Sequence, residues 1–97
     1  MITKIFSMYD SKVEAYNKPF HQTTKGEALR TFIDAVNDER SPMSKHPEDY
    51  SLFQIGEFDD QTGKYTSNEK PVHIANAHEF VRKDVRQDGR QTEMKVV

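Results

Sequence analysis

The residues of this chain best suited to chemistry lie between Lys12 and Lys25, where Lys12, Lys18 and Lys25 interleave with Tyr16, Phe20 and His21. Glu14 is the single acid in that stretch. Cations set among aromatic rings suit single-stranded nucleic acid: ammonium groups neutralise phosphates while splayed bases lie on the rings. Such binding is expected to fall steeply as salt rises. The competing role for Tyr16 and Phe20 is packing, because a small domain uses its aromatics for burial. A second basic stretch starts at Arg82 and holds Lys83, Arg86, Arg90 and Lys95 against Asp84, Asp88 and Glu93. Arg82, Lys83, Arg86 and Arg90 are candidate phosphate contacts on a tail expected to stay solvated unless a partner orders it.

Catalysis and metal binding find little footing. There is no Gly-x-Ser-x-Gly elbow, no phosphate-cradling glycine loop and no His-Glu-x-x-His helix. His73 and His78 are spaced so that they do not share a helical face, and they read as ordinary histidines. His46 precedes Pro47 and reads as a loop residue, and Glu48 and Asp49 suit the open N–H groups of a tight turn. Asp59 and Asp60 are turn formers more than paired acids. The expectation is a binding protein, not an enzyme, with no catalytic residue, no metal site and no cofactor.

The elements that must position the lysine-aromatic loop follow from pattern. With 97 residues the chain has room for one core. Residues 2 to 9 alternate, Ile2, Phe6 and Met8 against Ile5 and Tyr9, as a strand covered on both faces does. Residues 10 to 23 have no sustained period and predict an extended loop. Thr24-Lys25-Gly26-Glu27 has the form of a capping box, and Ala28, Leu29, Phe32, Ile33 and Val36 then make one helical stripe, ended by Asn37-Asp38 and Ser41-Pro42. Tyr50 to Phe58 predicts a strand, Asp59 to Gly63 a turn, and Lys64 to Thr66 the returning arm of a hairpin. Val72 to Ile74 suggests a short edge strand, and Ala75 to Val81 a short second helix. The expected fold class is α+β, in the order β-α-β-β and a short helix, with a small antiparallel or mixed sheet and the main helix packed on one face. Residues 1–82 would form that domain, and 83–97 a polar, basic, flexible tail.

Composition narrows the partners. Fourteen basic and sixteen acidic side chains give a formal net charge of −2, which argues mildly against indiscriminate nucleic-acid binding. No cysteine is present, so no disulfide supports the fold. No apolar run approaches the about 18 residues of a membrane span, and the first residues do not make a signal peptide. The unpaired edges of a small sheet lead to an expected homodimer or larger homo-oligomer.

Four segments also carry a resemblance: Ile5-Phe6-Ser7-Met8-Tyr9-Asp10-Ser11-Lys12; Thr24-Lys25-Gly26-Glu27-Ala28 with Ala35-Val36-Asn37-Asp38; Ser44-Lys45-His46-Pro47-Glu48-Asp49-Tyr50-Ser51-Leu52-Phe53; and Gly56-Glu57-Phe58-Asp59-Asp60-Gln61-Thr62-Gly63. In order and over most of residues 5 to 63, they resemble the small nonstructural protein of the gokushoviruses, bacteriophages of the Microviridae with a single-stranded DNA genome. The resemblance implies DNA binding in viral genome replication or packaging, in the host bacterial cytoplasm, with viral single-stranded DNA as partner and phage replication or capsid proteins as further partners. It supplies no set of binding residues. The alternative is a non-catalytic adaptor that recruits host replication factors or the procapsid.

Overall fold

The computed structural model describes residues 1–82. Its first strand, β1 (Ile2–Asp10), is central, because both of its faces carry apolar side chains. Phe6 and Met8 point to one side, and Ile5, the fully buried Ser7 and Tyr9 to the other. Two short strands, β2 (Ala15–Tyr16) and β3 (Phe20–Gln22), pair antiparallel with the two halves of one β1 edge. They behave as one strand broken at Asn17–Pro19, and β1 holds the break: the Asn17 N–H donates to the Met8 carbonyl at 2.8 Å, and the Ser7 hydroxyl donates to the Asn17 carbonyl at 2.6 Å. The hydroxyl therefore has a partner although it is shut off from water.

The other edge of β1 pairs with β4 (Tyr50–Asp59), and β4 pairs with β5 (Lys64–Asn76), both antiparallel. Gly63, at φ 75°, closes the hairpin between them, with its N–H on the Asp59 carbonyl at 2.7 Å. The ladders are irregular. Ile55 is an extra residue opposite the Ile5/Phe6 step, and four residues, Asn68 to Pro71, stand out of register on β5. The Asn68 amide bridges that gap by donating to the Gln54 carbonyl at 3.0 Å, while Pro71 has no N–H to lose. Bulges raise local twist, and here they curl the sheet into a half-barrel.

Helix α1 (Lys25–Val36) begins at Thr24, whose hydroxyl accepts the Glu27 N–H at 3.1 Å. Its buried side, Ala28, Phe32 and Val36, meets Phe6 and Met8 of β1, Leu52 of β4 and Ala75 of β5. A single turn of helix, α2 (Pro42–Lys45), adds Met43. Asn37 fastens the end of the described chain to the end of α1. Its amide donates to the Ile33 and Phe80 carbonyls, each at 3.0 Å, and its oxygen accepts the Arg82 N–H at 3.0 Å.

The expected α+β class is corrected by this arrangement. Strands hold 45% of the described residues and helices 28%, so the fold is a curled, mostly antiparallel sheet and not a small sheet covered by a helix. Three segments account for the difference. The predicted loop at 10 to 23 supplies β2 and β3. Lys64 to Asn76 is one 13-residue strand, where sequence suggested a short return and a separate edge strand. The predicted helix at Ala75 to Val81 shrinks to one 3-10 turn, Ala77–Phe80, capped by Asn76. The apolar core ends with Leu52 on β4 and Ala75 on β5, and Gly56 is the one buried residue further along the hairpin; from Lys64 to His73 only Asn68 is even half-buried, so the β4–β5 hairpin runs on past the helix. The proposed tail at 83–97 lies outside the described residues.

Candidate nucleic-acid interface

Strand alternation sends every second side chain to the face of the sheet away from α1. Residues paired across the ladders share a face, so Tyr16, Tyr9, Phe53 and His73 gather on it near one end. Tyr9 and Tyr16 have ring centroids 4.8 Å apart, Tyr16 and Phe53 5.7 Å, and Phe53 and His73 5.4 Å. A second group forms further along. Phe58 lies 4.6 Å from Tyr65 and 5.7 Å from His21. Tilted and edge-on geometries of this kind suit the ring quadrupoles. Tyr65, at 62% exposed, and Tyr16, at 43%, keep much of their ring surface in solvent.

The Ile55 bulge makes this face possible. In an unbroken strand Phe53 and Phe58, five residues apart, would point to opposite sides; one extra residue brings them to the same side. Between the two groups lies the row Ile5, Gly56 and Ser67, the floor of a groove of about 290 Å³ also lined by Pro19 and Tyr65. Gly56 is required there, because a Cβ on it would fall 2.5 Å from the Thr66 carbonyl oxygen.

Charge is sorted between the two faces. The paired positions on the aromatic face, among them Thr3, Ile5, Ser7, Ser51 and Ser67, include no carboxylate, lysine or arginine. The strand acids at paired positions stand in the other set of rows, Asp10 beside Tyr50, Glu57 between Lys4 and Thr66, and Asp59 between Ile2 and Lys64, while Glu69 lies in the out-of-register segment of β5. His73 is oriented by Asn76, whose side-chain oxygen also accepts the Ser51 hydroxyl at 2.8 Å. The His73 Nε2 contact to that oxygen, 2.8 Å, requires the proton on Nε2.

The residues singled out in the sequence are split by the fold. Tyr16 and His21 reach the aromatic face, one in each group. Phe20 does not: it pairs with Phe6, at 5.9 Å between rings, and packs against the core. Lys18 is exposed in the break between β2 and β3, and Lys25 is exposed at the start of α1. Lys12 is exposed in the turn after β1, where its N–H donates to the Asp10 carboxylate at 2.9 Å. Arg82 is the last described residue, and Lys83, Arg86 and Arg90 lie outside. Sequence reading did not place Tyr9, Phe53, Phe58, Tyr65 and His73 at the site. Aromatics on β4 and β5 at irregular spacing were the available signal, and the bulges concealed their common face.

A second cleft, about 190 Å³, is lined by Asp10, Lys12, His46, Asp49 and Tyr50. Burial, and then the hydrogen bond to the Asp10 carboxylate, push the Tyr50 hydroxyl above the usual tyrosine range. His46, Glu48 and Asp49 bring their ligand-type atoms within 4.8 Å of one another on the adjoining 3-10 turn. The turn itself explains their placement, with the Asp49 N–H on the His46 carbonyl at 3.0 Å and carboxylates near its open N–H groups.

Fold and surface together define a small, mostly β protein whose half-barrel sheet leaves open one aromatic face with no carboxylate, lysine or arginine at its paired positions. The chain belongs to the family described as Phage ORF5 protein, which matches residues 3–80. It is similar to Protein ORF5 of Chlamydia phage 1, at 35% identity over 80 residues that cover 77% of this chain and 83% of that one. The gokushovirus resemblance is thereby borne out, and this is a small phage protein of the Microviridae. No solved structure matches the chain. Among the described residues, no helix is long and apolar enough to cross a membrane.

Proposed function

We propose that this protein binds single-stranded DNA across its aromatic sheet face and serves phage genome replication or packaging in the host cytoplasm. The observation that carries the reading is the sorting of side chains. Exposed tyrosine and histidine rings and half-buried phenylalanines collect on one face, while the strand acids at paired positions, Asp10, Glu57 and Asp59, stand on the other. Bases offer π-faces to such rings whatever their sequence, and a face without carboxylates does not repel phosphates. Lys12 and Lys18, exposed along the β2–β3 edge, supply cations at its margin. A duplex hides its π-faces inside the stack, so the arrangement favours the single strand.

The test is fluorescence anisotropy with single-stranded and duplex oligonucleotides of one sequence. The single strand should bind preferentially, and Tyr16→Ala and Tyr65→Ala should each weaken it while the melting temperature holds. Absence of binding to either oligonucleotide at low salt would overturn the reading and bring the adaptor role forward. Self-association belongs to the same proposal. The outer edge of β5 offers unpaired backbone groups from Lys64 to Ser67, before the bulge and Pro71 interrupt it. Two copies joined there antiparallel would extend one sheet and make their aromatic faces continuous. Light scattering should return more than the 11.3 kDa of one chain, and a monomer across micromolar concentrations would refute it.

A further inference from the structure

The two aromatic groups are separate, and the space between them is built. Tyr16, on β2, stands opposite Tyr9, and Tyr65 lies on β5 in the row of Thr3 and Phe58, so the two open rings are six residues apart along the strands and three strand spacings apart across the sheet. At about 3.4 Å per residue and about 4.8 Å per strand this is roughly 25 Å. Each group ends in an open ring, Tyr16 in one and Tyr65 in the other. The row between them, Ile5, Gly56 and Ser67, forms the groove floor, with His21 at its β3 end. Two ridges with a trough between them could not stack on one base together.

We infer that the face is a two-platform site, in which one single strand stacks a base on the Tyr16–Tyr9–Phe53 ridge and another on the Phe58–Tyr65–His21 ridge while the linking nucleotides cross the groove over Gly56. This rests on the single-strand reading above and adds a length rule to it. A stacked strand advances about 3.4 Å per nucleotide, so roughly 25 Å takes about seven such steps, and about four when the strand is fully extended. Bridging therefore begins at between about five and eight nucleotides. Once one base is seated, the second platform is reached intramolecularly, at the high effective concentration a short linker gives. Affinity should then rise in a step as oligonucleotides become long enough to bridge, and more gently afterwards. His21 and His73 lie one on each ridge, so both platforms also offer a ring able to hydrogen-bond a base edge or a phosphate.

The experiment is a length series of oligothymidylates, from about two to about ten nucleotides, titrated against the full chain and against Tyr16→Ala and Tyr65→Ala. Wild-type protein should show the step. Either variant should abolish it, weakening the longest oligonucleotide roughly ten-fold or more, while the shortest, able to occupy only one platform at a time, loses no more than about two-fold. Tyr16→Leu and Tyr65→Leu, which keep apolar bulk without the flat ring, provide the same readout should an alanine variant fold poorly. A smooth length dependence in the wild type, or a variant that weakens short and long oligonucleotides equally, would overturn the two-platform site while leaving single-strand binding in place. Failure of the wild type to bind any length would overturn the underlying reading instead.

Discussion

Ionic strength separates the rings from the cations. The aromatic face carries no lysine or arginine at its paired positions, and the lysines singled out in the sequence as phosphate contacts are the exposed Lys12, Lys18 and Lys25. For a single strand each neutralised phosphate contributes about −0.7 to the slope of log K against log salt, so three lysines account for about −2. Between 50 and 200 mM salt that is a loss of about 16-fold, far from the about 10³-fold or more expected of a protein held chiefly by phosphate contacts. The perturbation is the triple variant Lys12→Ala, Lys18→Ala, Lys25→Ala beside Tyr65→Ala, and the assay is anisotropy over that salt range. The triple variant should flatten the slope by about 2 and keep its dependence on Tyr65. Tyr65→Ala should leave the slope alone and lower affinity at every salt concentration by about 1–3 kcal/mol, the usual value of a stacked base. The reasoning fails if Tyr65→Ala flattens the slope, or if the triple variant leaves it unchanged.

Three further outcomes test the fold beneath the face. Gly56→Ala should destabilise the chain by about 3 kcal/mol, at the upper end of overpacking costs, since its Cβ meets a backbone carbonyl that moves only if β4 and β5 part; urea denaturation reads it. Phe32→Ala empties a fully buried position between α1 and the sheet and should cost about 3–5 kcal/mol by the same measurement. Asp59 is held below the usual carboxylate range, first by the Gln61 N–H donating to it at 2.9 Å. Its lowered folded value means its contribution is present above the ordinary carboxylate pKa of about 4 and fades as pH falls through the folded value. The difference in urea midpoint between wild type and Asp59→Asn should therefore shrink toward acid, and a gap that widened there would refute the assignment.

Legibility in the sequence followed how local each signal was. Helix α1 was readable because its cap, Thr24, and its buried stripe, Ala28, Phe32 and Val36, are set within one segment at a regular period. The hairpin turn was readable because Gly63 supplies the positive φ its closure needs. β2 and β3 were not, since two- and three-residue strands leave no period, and what holds their break is the Ser7–Asn17 bond from another strand. β5 was fragmented in the reading because Asn68 to Pro71 is composed like a turn, and a bulge carries it inside a strand. The site suffered likewise. Tyr16 and His21 were found from their neighbours in sequence, while Phe20, next to His21, alternates to the core side. The rings from β4 and β5 needed the register shift at Ile55 to come together, and no short-range pattern records a register shift.

Ring clusters on a sheet can also serve stability, so what separates a binding face from a minor core is where the exposed rings lie. Phe53 and Phe58, on the β4 strand that runs through both groups, are half-buried by their neighbours and contribute to the fold whichever role the face has. Tyr16 and Tyr65 lie at the outer ends of their ridges, on β2 and β5, with 43% and 62% of their surface open. A cluster serving burial alone would gain most by turning those two rings inward, at about 25 cal/mol for each Å² covered. The pI bears on the same choice. An acidic chain is a poor general ligand for phosphates, but potential is set by nearby charges, and a Debye length of about 8 Å at physiological salt limits what the far side of a sheet contributes. With Asp10, Glu57 and Asp59 standing on that far side, the net charge of −2 describes the whole chain and not the surface that a strand of DNA would meet.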